Sequence, residues 1–410
     1  MYNIIIYIYL IGVAVYSRFN EKVRKMWRGE RDAFRVLREQ VDPNARYVWF
    51  HAASLGEFEQ GRPLMEQLRR DHPELKILLT FFSPSGYEVR KNYEGADIIC
   101  YLPLDTIRNA RRFLRLVHPE AAFFIKYEFW YNYLHILKHR GVPTYSVSSI
   151  FRDGQVFFRW YGRQYGRVLK CFTHFYVQNE KSCELLQNIG IDCVTVVGDT
   201  RFDRVLQIRD AAKQPEVVGA FTADDRPVFV VGSSWQPDED VYMPYFADKD
   251  WRLVVATHVV SPQRVEALQE RFEAQGKRVL RYSLAGQTAA QPANYDVLII
   301  DCYGLLSSIY RYADVTYVGG GFGVGIHNVL EAAVWGKPVI FGPNNERFQE
   351  AQGLKRFGGG FDIQCAADFS VLMDRFCADA ALLSESGRKA GRFVADNAGA
   401  TQRILHDVEL

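Results

Sequence analysis

Two glutamates and one glycine run carry most of the chemistry this sequence can offer. Glu57 closes Ser54-Leu55-Gly56-Glu57, which follows an apolar run and precedes a helical pattern. Its carboxylate therefore falls in a first helical turn at the carboxyl end of a strand. Gly56 lets a substrate come close to the backbone there, and the positive end of a helix tolerates a carboxylate. Such a carboxylate either accepts a proton from an attacking hydroxyl or simply complements the helix dipole. Glu128, in Lys126-Tyr127-Glu128-Phe129-Trp130, also follows a strand, and its aromatic neighbours would wall a pocket. Alone it reads as a cap or an ion-pair partner; the pairing with Glu57 raises it.

The glycine run is Gly319-Gly320-Gly321-Phe322-Gly323-Val324-Gly325, followed by Ile326-His327-Asn328-Val329-Leu330-Glu331. It sits after a strand, with a helix expected to begin near His327-Asn328. Backbone N–H groups in such a turn can hold a phosphate at the helix start. Glu331, a turn later, would take two ribose hydroxyls. The run is neither GxxxxGK[ST] nor a GxGxxG that opens a first βα unit, so it fits neither a P-loop nor a dinucleotide fingerprint. The alternative is a flexible structural loop. Basic aromatic segments such as Phe157-Phe158-Arg159-Trp160-Tyr161 suit anionic lipid better than nucleic acid, because the formal net charge is only +2.

Short apolar runs alternating with amphipathic stretches must position these groups. Strands are expected at Tyr47–His51, Lys76–Phe82, Asp97–Tyr101, Ala121–Lys126, Pro143–Ser148, His174–Val177 and Val194–Val197. A second set follows at Val228–Val231, Arg252–Ala256, Arg278–Tyr282, Val297–Ile300, Val315–Val318 and Pro338–Phe341. Continuous apolar strands separated by helices mean parallel sheets covered on both faces. At 410 residues, 48% hydrophobic and 24% charged, the chain suits two such α/β domains. Two doubly wound domains facing a central cleft would bind ligands at their strand carboxyl ends. The expected division is an anchor over 1–20, a first domain over 21–205, a linker over 206–226 and a second domain over 227–410.

The first sixteen residues, MYNIIIYIYLIGVAVY, are nearly all apolar, and positive charge follows them from Arg18 to Arg31. A secretory signal has the reverse order. As a helix the segment would reach roughly 24 Å, short of the ~30 Å hydrocarbon thickness, which predicts an in-plane anchor with a basic flank on anionic headgroups. The alternative is one span in a thinned bilayer. Either way the flank places the body on the cytoplasmic side. Seven dispersed cysteines without CxxC spacing read as reduced, and no HExxH or Cys-His pairing suggests a metal.

Several motifs in order resemble the 3-deoxy-D-manno-octulosonic acid (Kdo) transferases of lipopolysaccharide synthesis, a family with the GT-B fold. They are SLGE at 54–57, FFSPSGYE at 81–88, YLPLD at 101–105, Glu128-Phe129-Trp130, GDTRFD at 198–203, HNVLEAA at 327–333 and GKPVIFGPNNERFQEA at 336–351. The resemblance implies inverting transfer of Kdo from CMP-Kdo to a lipid A precursor, with no metal or cofactor, on the cytoplasmic face of a bacterial inner membrane. It implies Glu57 as general base and Glu128 as the second site carboxylate. Ser233, Ser234, His258, Gly320, Gly321, Asn328 and Glu331 would hold the nucleotide. Ser54, Gly56, Arg159 and Arg163 would meet the acceptor, and Arg28 and Arg31 would also grip phosphates. Members often carry an Arg-His pair where Ala256-Thr257-His258 has the histidine alone, with Arg264 further along. A UDP-sugar transferase, a sugar-nucleotide epimerase and an inactive envelope scaffold are the competing readings.

Overall fold

Every apolar run named above forms a strand, because helices cover both faces of the sheet that contains it. The computed structural model describes residues 2–287 and 291–409, excluding the side chains of residues 161, 163 and 164. It separates into two units. One holds the chain up to Arg204 and again from Ala398; the other is Val205–Asn397.

The first unit contains β1 (Tyr47–Ala52), β2 (Lys76–Phe81), β3 (Ile98–Tyr101), β4 (Pro119–Ile125), β5 (Thr144–Ser149), β6 (His174–Val177) and β7 (Val194–Val196). Their order is β3-β2-β1-β4-β5-β6-β7, every neighbour parallel. Side chains alternate across β1: Trp49 joins one core with Phe113, Phe124 and Tyr133, while Val48 and Phe50 join the other with Phe58 and Leu64. The chain reverses its winding between β1 and β4, the place where open parallel sheets bind ligands.

The second unit repeats the plan with β8 (Val228–Ser234), β9 (Arg252–Thr257), β10 (Val279–Arg281), β11 (Val297–Ile300), β12 (Val315–Val318), β13 (Val339–Phe341) and β14 (Gly360–Asp362). The order is β10-β11-β9-β8-β12-β13-β14, so the reversal lies between β8 and β12. Strand β14 was not expected, since three residues after a glycine pair carry no apolar run.

Helix α1 (Tyr2–Tyr16) is followed by α2 (Glu21–Gln40), whose N-cap Asn20 accepts from the Val23 amide. Among the described residues no helix is long and apolar enough to cross a membrane. Instead α1 lies on the first unit. Tyr2 Oη donates to Asp105 Oδ2 at 2.7 Å, Asn132 Nδ2 donates to Asn3 Oδ1 at 2.8 Å, and Val13 packs with Met26 and Tyr101. Ile4, Ile8, Ile11 and Val15 form an exposed stripe at helical spacing.

Two expected boundaries are corrected. The proposed linker 206–226 is largely helical (Thr200–Asp210 and Glu216–Phe221), and it groups with the second unit. The last residues, expected in the second domain, return to the first. Asp203 accepts from the Gly399 and Thr401 amides, and Ala400 and Ile404 enter the first unit's core.

Candidate active site

The chain leaves β1 through Ser54, the extended N-cap of α3 (Leu55–Asp71). Glu57 occupies the third helical position. Its Oε2 accepts the amides of Ala53 at 2.6 Å and Ser54 at 3.2 Å. The dipole-complementing role is thus real, but both bonds fall on one oxygen, so proton uptake falls to Oε1. Burial, and then the nearby charge of Glu128, push the Glu57 carboxyl up to about 7, against the pull of the two amides and Lys126. A carboxylate poised there suits general-base work at neutral pH. Gly56 is exposed, and a Cβ built on it would meet no protein atom within 4 Å. The chain itself therefore does not require glycine, and the open space lies beside the base.

The other half of the site follows β4. Lys126 adopts φ 65°, a left-handed strain for a non-glycine residue. Its amide bonds the Val147 carbonyl at 2.8 Å and its carbonyl accepts from Ser149 Oγ at 2.9 Å, which fixes the turn. Glu128 Oε2 then accepts from Trp130 Nε1 at 2.6 Å and pairs with His51 Nε2 at 3.1 Å. His51 is fully buried on β1, with Nδ1 2.9 Å from Thr80 Oγ1, which accepts from Trp49 Nε1 at 2.8 Å. Nε2 thus faces the carboxylate, and the Thr80 hydroxyl lies within reach of both His51 Nδ1 and the Phe50 carbonyl at 3.3 Å. Arg159, exposed, lines a separate cavity of about 730 Å³ with Arg167, Lys170 and Trp160. Arg163's side chain lies outside the described residues.

In the second unit β8 ends in Ser233, left-handed at φ 54°. Ser234 is buried, its Oγ on Glu239 and Tyr242 at 3.1 Å each. The expected phosphate contact at Ser234 is therefore corrected: its hydroxyl belongs to the interior. Asp238, fully buried, accepts from the amides of Trp235 and Gly320 and from Tyr317 Oη. Gly320's amide is thus engaged inside the loop, and a Cβ on Gly321 would strike the Gly342 backbone at 2.5 Å. The expectation of a phosphate contact from the Gly320 amide is thus corrected, while Gly321 is glycine for close packing against Gly342. The helix expected at His327-Asn328 is only Leu330–Ala333, and Asn328 Nδ2 donates to Glu331 Oε1 at 2.9 Å.

His258 stacks between Trp235 (4.7 Å between ring centroids) and His327 (4.1 Å). Trp235 Nε1 donates to His327 Nε2 at 3.1 Å. Burial and then the neighbouring His258 hold His327 down at about 4, and burial lowers His258. Both rings are neutral near pH 7, donors of N–H rather than of charge. Arg264 is held by Glu239, which also binds Arg271 at 2.8 Å.

Comparison with known proteins places the chain among its relatives. Residues 24–204 match the family described as 3-Deoxy-D-manno-octulosonic-acid transferase (kdotransferase). The 3-deoxy-D-manno-octulosonic acid transferase of Bordetella pertussis is 28% identical over 90% of this chain and 88% of its own length. That of Aquifex aeolicus is 26% identical over 77% and 82%. The amino-terminal half of the chain thus matches the Kdo transferase family, and relatives of that name are similar along most of its length. The chain is accordingly a glycosyltransferase. The UDP-GlcNAc 2-epimerase of Neisseria meningitidis shares the two-domain GT-B fold at TM-score 0.60, with 14% identity over 88% of this chain and 98% of that one. At that identity only the fold is shared.

Among the Kdo transferase expectations, the structure brings Ser54, Gly56, Glu57 and Glu128 to one sheet edge. It brings Ser233, His258, Gly320, Gly321, Asn328 and Glu331 to the corresponding edge of the second unit. Sequence reasoning missed His51, Trp49 and Thr80, whose only signal was a histidine inside an apolar strand. It also missed Asp238 and Glu239, an acidic pair opening the helix Gln236–Phe246 after a strand.

Proposed function

We propose that this protein moves Kdo from CMP-Kdo to a hydroxyl of a lipid A precursor by a single inverting displacement, without a metal ion. The observation that carries the reading is Glu57, half-buried beside a second carboxylate, raised to about 7 and next in the chain to the open position at Gly56. Its Oε1 takes the proton from the lipid hydroxyl, whose oxygen attacks the anomeric carbon as the bond to CMP breaks. Trp130 and His51 hold Glu128, which keeps Glu57 basic. In the second unit the ribose meets Glu331, and the departing phosphate meets imidazole N–H donors of His258 and His327.

The exposed stripe of α1 supports an in-plane anchor at the cytoplasmic face of the inner membrane, with Arg18, Lys22, Arg28 and Arg31 on anionic headgroups. Purified protein incubated with CMP-Kdo and a tetra-acylated lipid A precursor should give a product heavier by Kdo, and EDTA should leave the rate unchanged. Release of CMP without lipid product, or turnover with UDP-sugars only, overturns the proposal.

A further inference from the structure

The apolar amino-terminal helix does more than present a greasy face. Tyr2, Ile6 and Tyr9, at helical spacing on α1, wall a cavity of about 440 Å³ whose other side is built by Phe82, Leu104 and Trp130. These three follow β2, β3 and β4, so α1 crosses the carboxyl edge of the first sheet where Glu57 and Glu128 stand. The volume is that of a small-ligand pocket. The acid in its wall, Asp105, is already satisfied by Tyr2 Oη and the amides of Asn132 and Tyr133. Tyr127, Gln155 and Tyr165 add polar atoms at the wall, but Ile6, Phe82, Leu104, Phe129, Trp130 and Phe157 give a hydrocarbon chain apolar surface to bury against.

Three observations select the occupant. Ile4, Ile8 and Ile11 point out of the same helix, each more than 60% exposed, so apolar surface lies outside the cavity as well as within it. Phe157 lines both this cavity and the neighbouring one rimmed by Arg159, Arg167 and Lys170, which places cationic groups beside the apolar slot. Trp130 both lines the slot and donates to Glu128 Oε2 at 2.6 Å. An apolar slot, a cationic rim and the Glu128 carboxylate thus adjoin one another. We infer that the cavity under α1 seats one acyl chain of the acceptor lipid and so sets which hydroxyl reaches Glu57. The inference rests on the proposed transfer to a lipid.

Two measurements test it on the full chain. In the first, Ile6→Trp fills the slot and Ile8→Trp places the same bulk on the outward stripe. With the tetra-acylated precursor, Ile6→Trp should raise KM about tenfold relative to Ile8→Trp. With the same precursor stripped of its acyl chains, the two variants should match wild type. Equal effects on both acceptors, or none on either, overturn the inference.

The second uses dodecyl phosphate brominated at its terminal carbon and needs no CMP-Kdo. Bromine should quench the emission of Trp130, read as the difference between wild type and Trp130→Phe. Absence of that difference sinks the pocket whatever the transfer assay shows. Quenching without any Kdo transfer leaves the pocket standing and removes the proposed reaction instead.

Discussion

The two units place their key residues at the same topological position yet use paired acids in opposite ways, half-buried in the first and fully buried in the second. In the first, burial and then the charge of Glu128 raise Glu57 toward neutral pH, and only one oxygen of Glu57 is tied to the backbone. In the second, Asp238 and Glu239 are fully buried, Asp238 on two amides and a tyrosine and Glu239 on two arginines. On the proposed mechanism the first edge exchanges a proton, while the second holds a loop around neutral rings. One fold thus separates proton chemistry from positioning by how completely each carboxylate is satisfied.

The sharpest way to break this contrast is Glu57→Gln, because the amide keeps the backbone bonds and loses the base. Turnover should fall about 10³-fold. Stability should move the other way. The folded carboxyl is raised, so the native state binds the proton more tightly, and stability is lost as pH rises between roughly 4.3 and 7. The variant escapes that loss and should be more stable at pH 8, on the order of 1–3 kcal/mol, by chemical denaturation. In wild type, kcat/KM should climb with pH through about 7, and Glu128→Gln should shift that limb downward by removing the like charge. A limb that stays in place would detach Glu57 from Glu128.

Asp238→Ala tests the other side. Three donors lose their acceptor inside the second unit, at a cost on the order of 3 kcal/mol seen as a lower denaturation midpoint. The affinity for CMP should fall with the loosened glycine turn, while the pH limb of kcat/KM keeps its position. A moved limb would mean that Asp238 takes part in proton transfer and would erase the distinction between the units.

His51→Phe asks whether the buried imidazole matters beyond packing. Loss of one hydrogen bond to Glu128 should lower kcat about tenfold with little change in KM for the donor. A smaller downward shift of the limb than in Glu128→Gln should accompany it, which a purely structural role would not produce.

Much of this contrast was legible in the sequence, and what escaped has a common cause. Glu57 and Glu128 were visible because both follow apolar strands, and strand order then places β1 and β4 side by side. The strands themselves declared their burial by composition. Partners across the sheet did not: nothing in the spacing of Trp49, His51 and Thr80 says that register sets His51 opposite Thr80. The glycine run failed for a different reason. Phosphate cradles and tight turns both need glycine, and only the burial of Asp238 shows where the Gly320 amide points. The return of residues 398–410 to the first unit was likewise beyond reach, since Asp203 binds amides 196 and 198 positions away.

Gly56 gives the smallest effect and the finest discrimination. It is helical and exposed, it does not need positive φ, and a Cβ would enter open space. By backbone propensity alone Gly56→Ala should stabilise the protein by up to about 1 kcal/mol. If the glycine exists to admit the acceptor beside Glu57, the same methyl group should raise the acceptor KM several-fold and leave CMP affinity unchanged. A stabilised variant with an unaltered acceptor KM would show that the substrate does not approach there. The open face of Glu57 would then have to be sought on the side of Lys126 and Tyr127, where the strained turn after β4 brings the chain back toward the base.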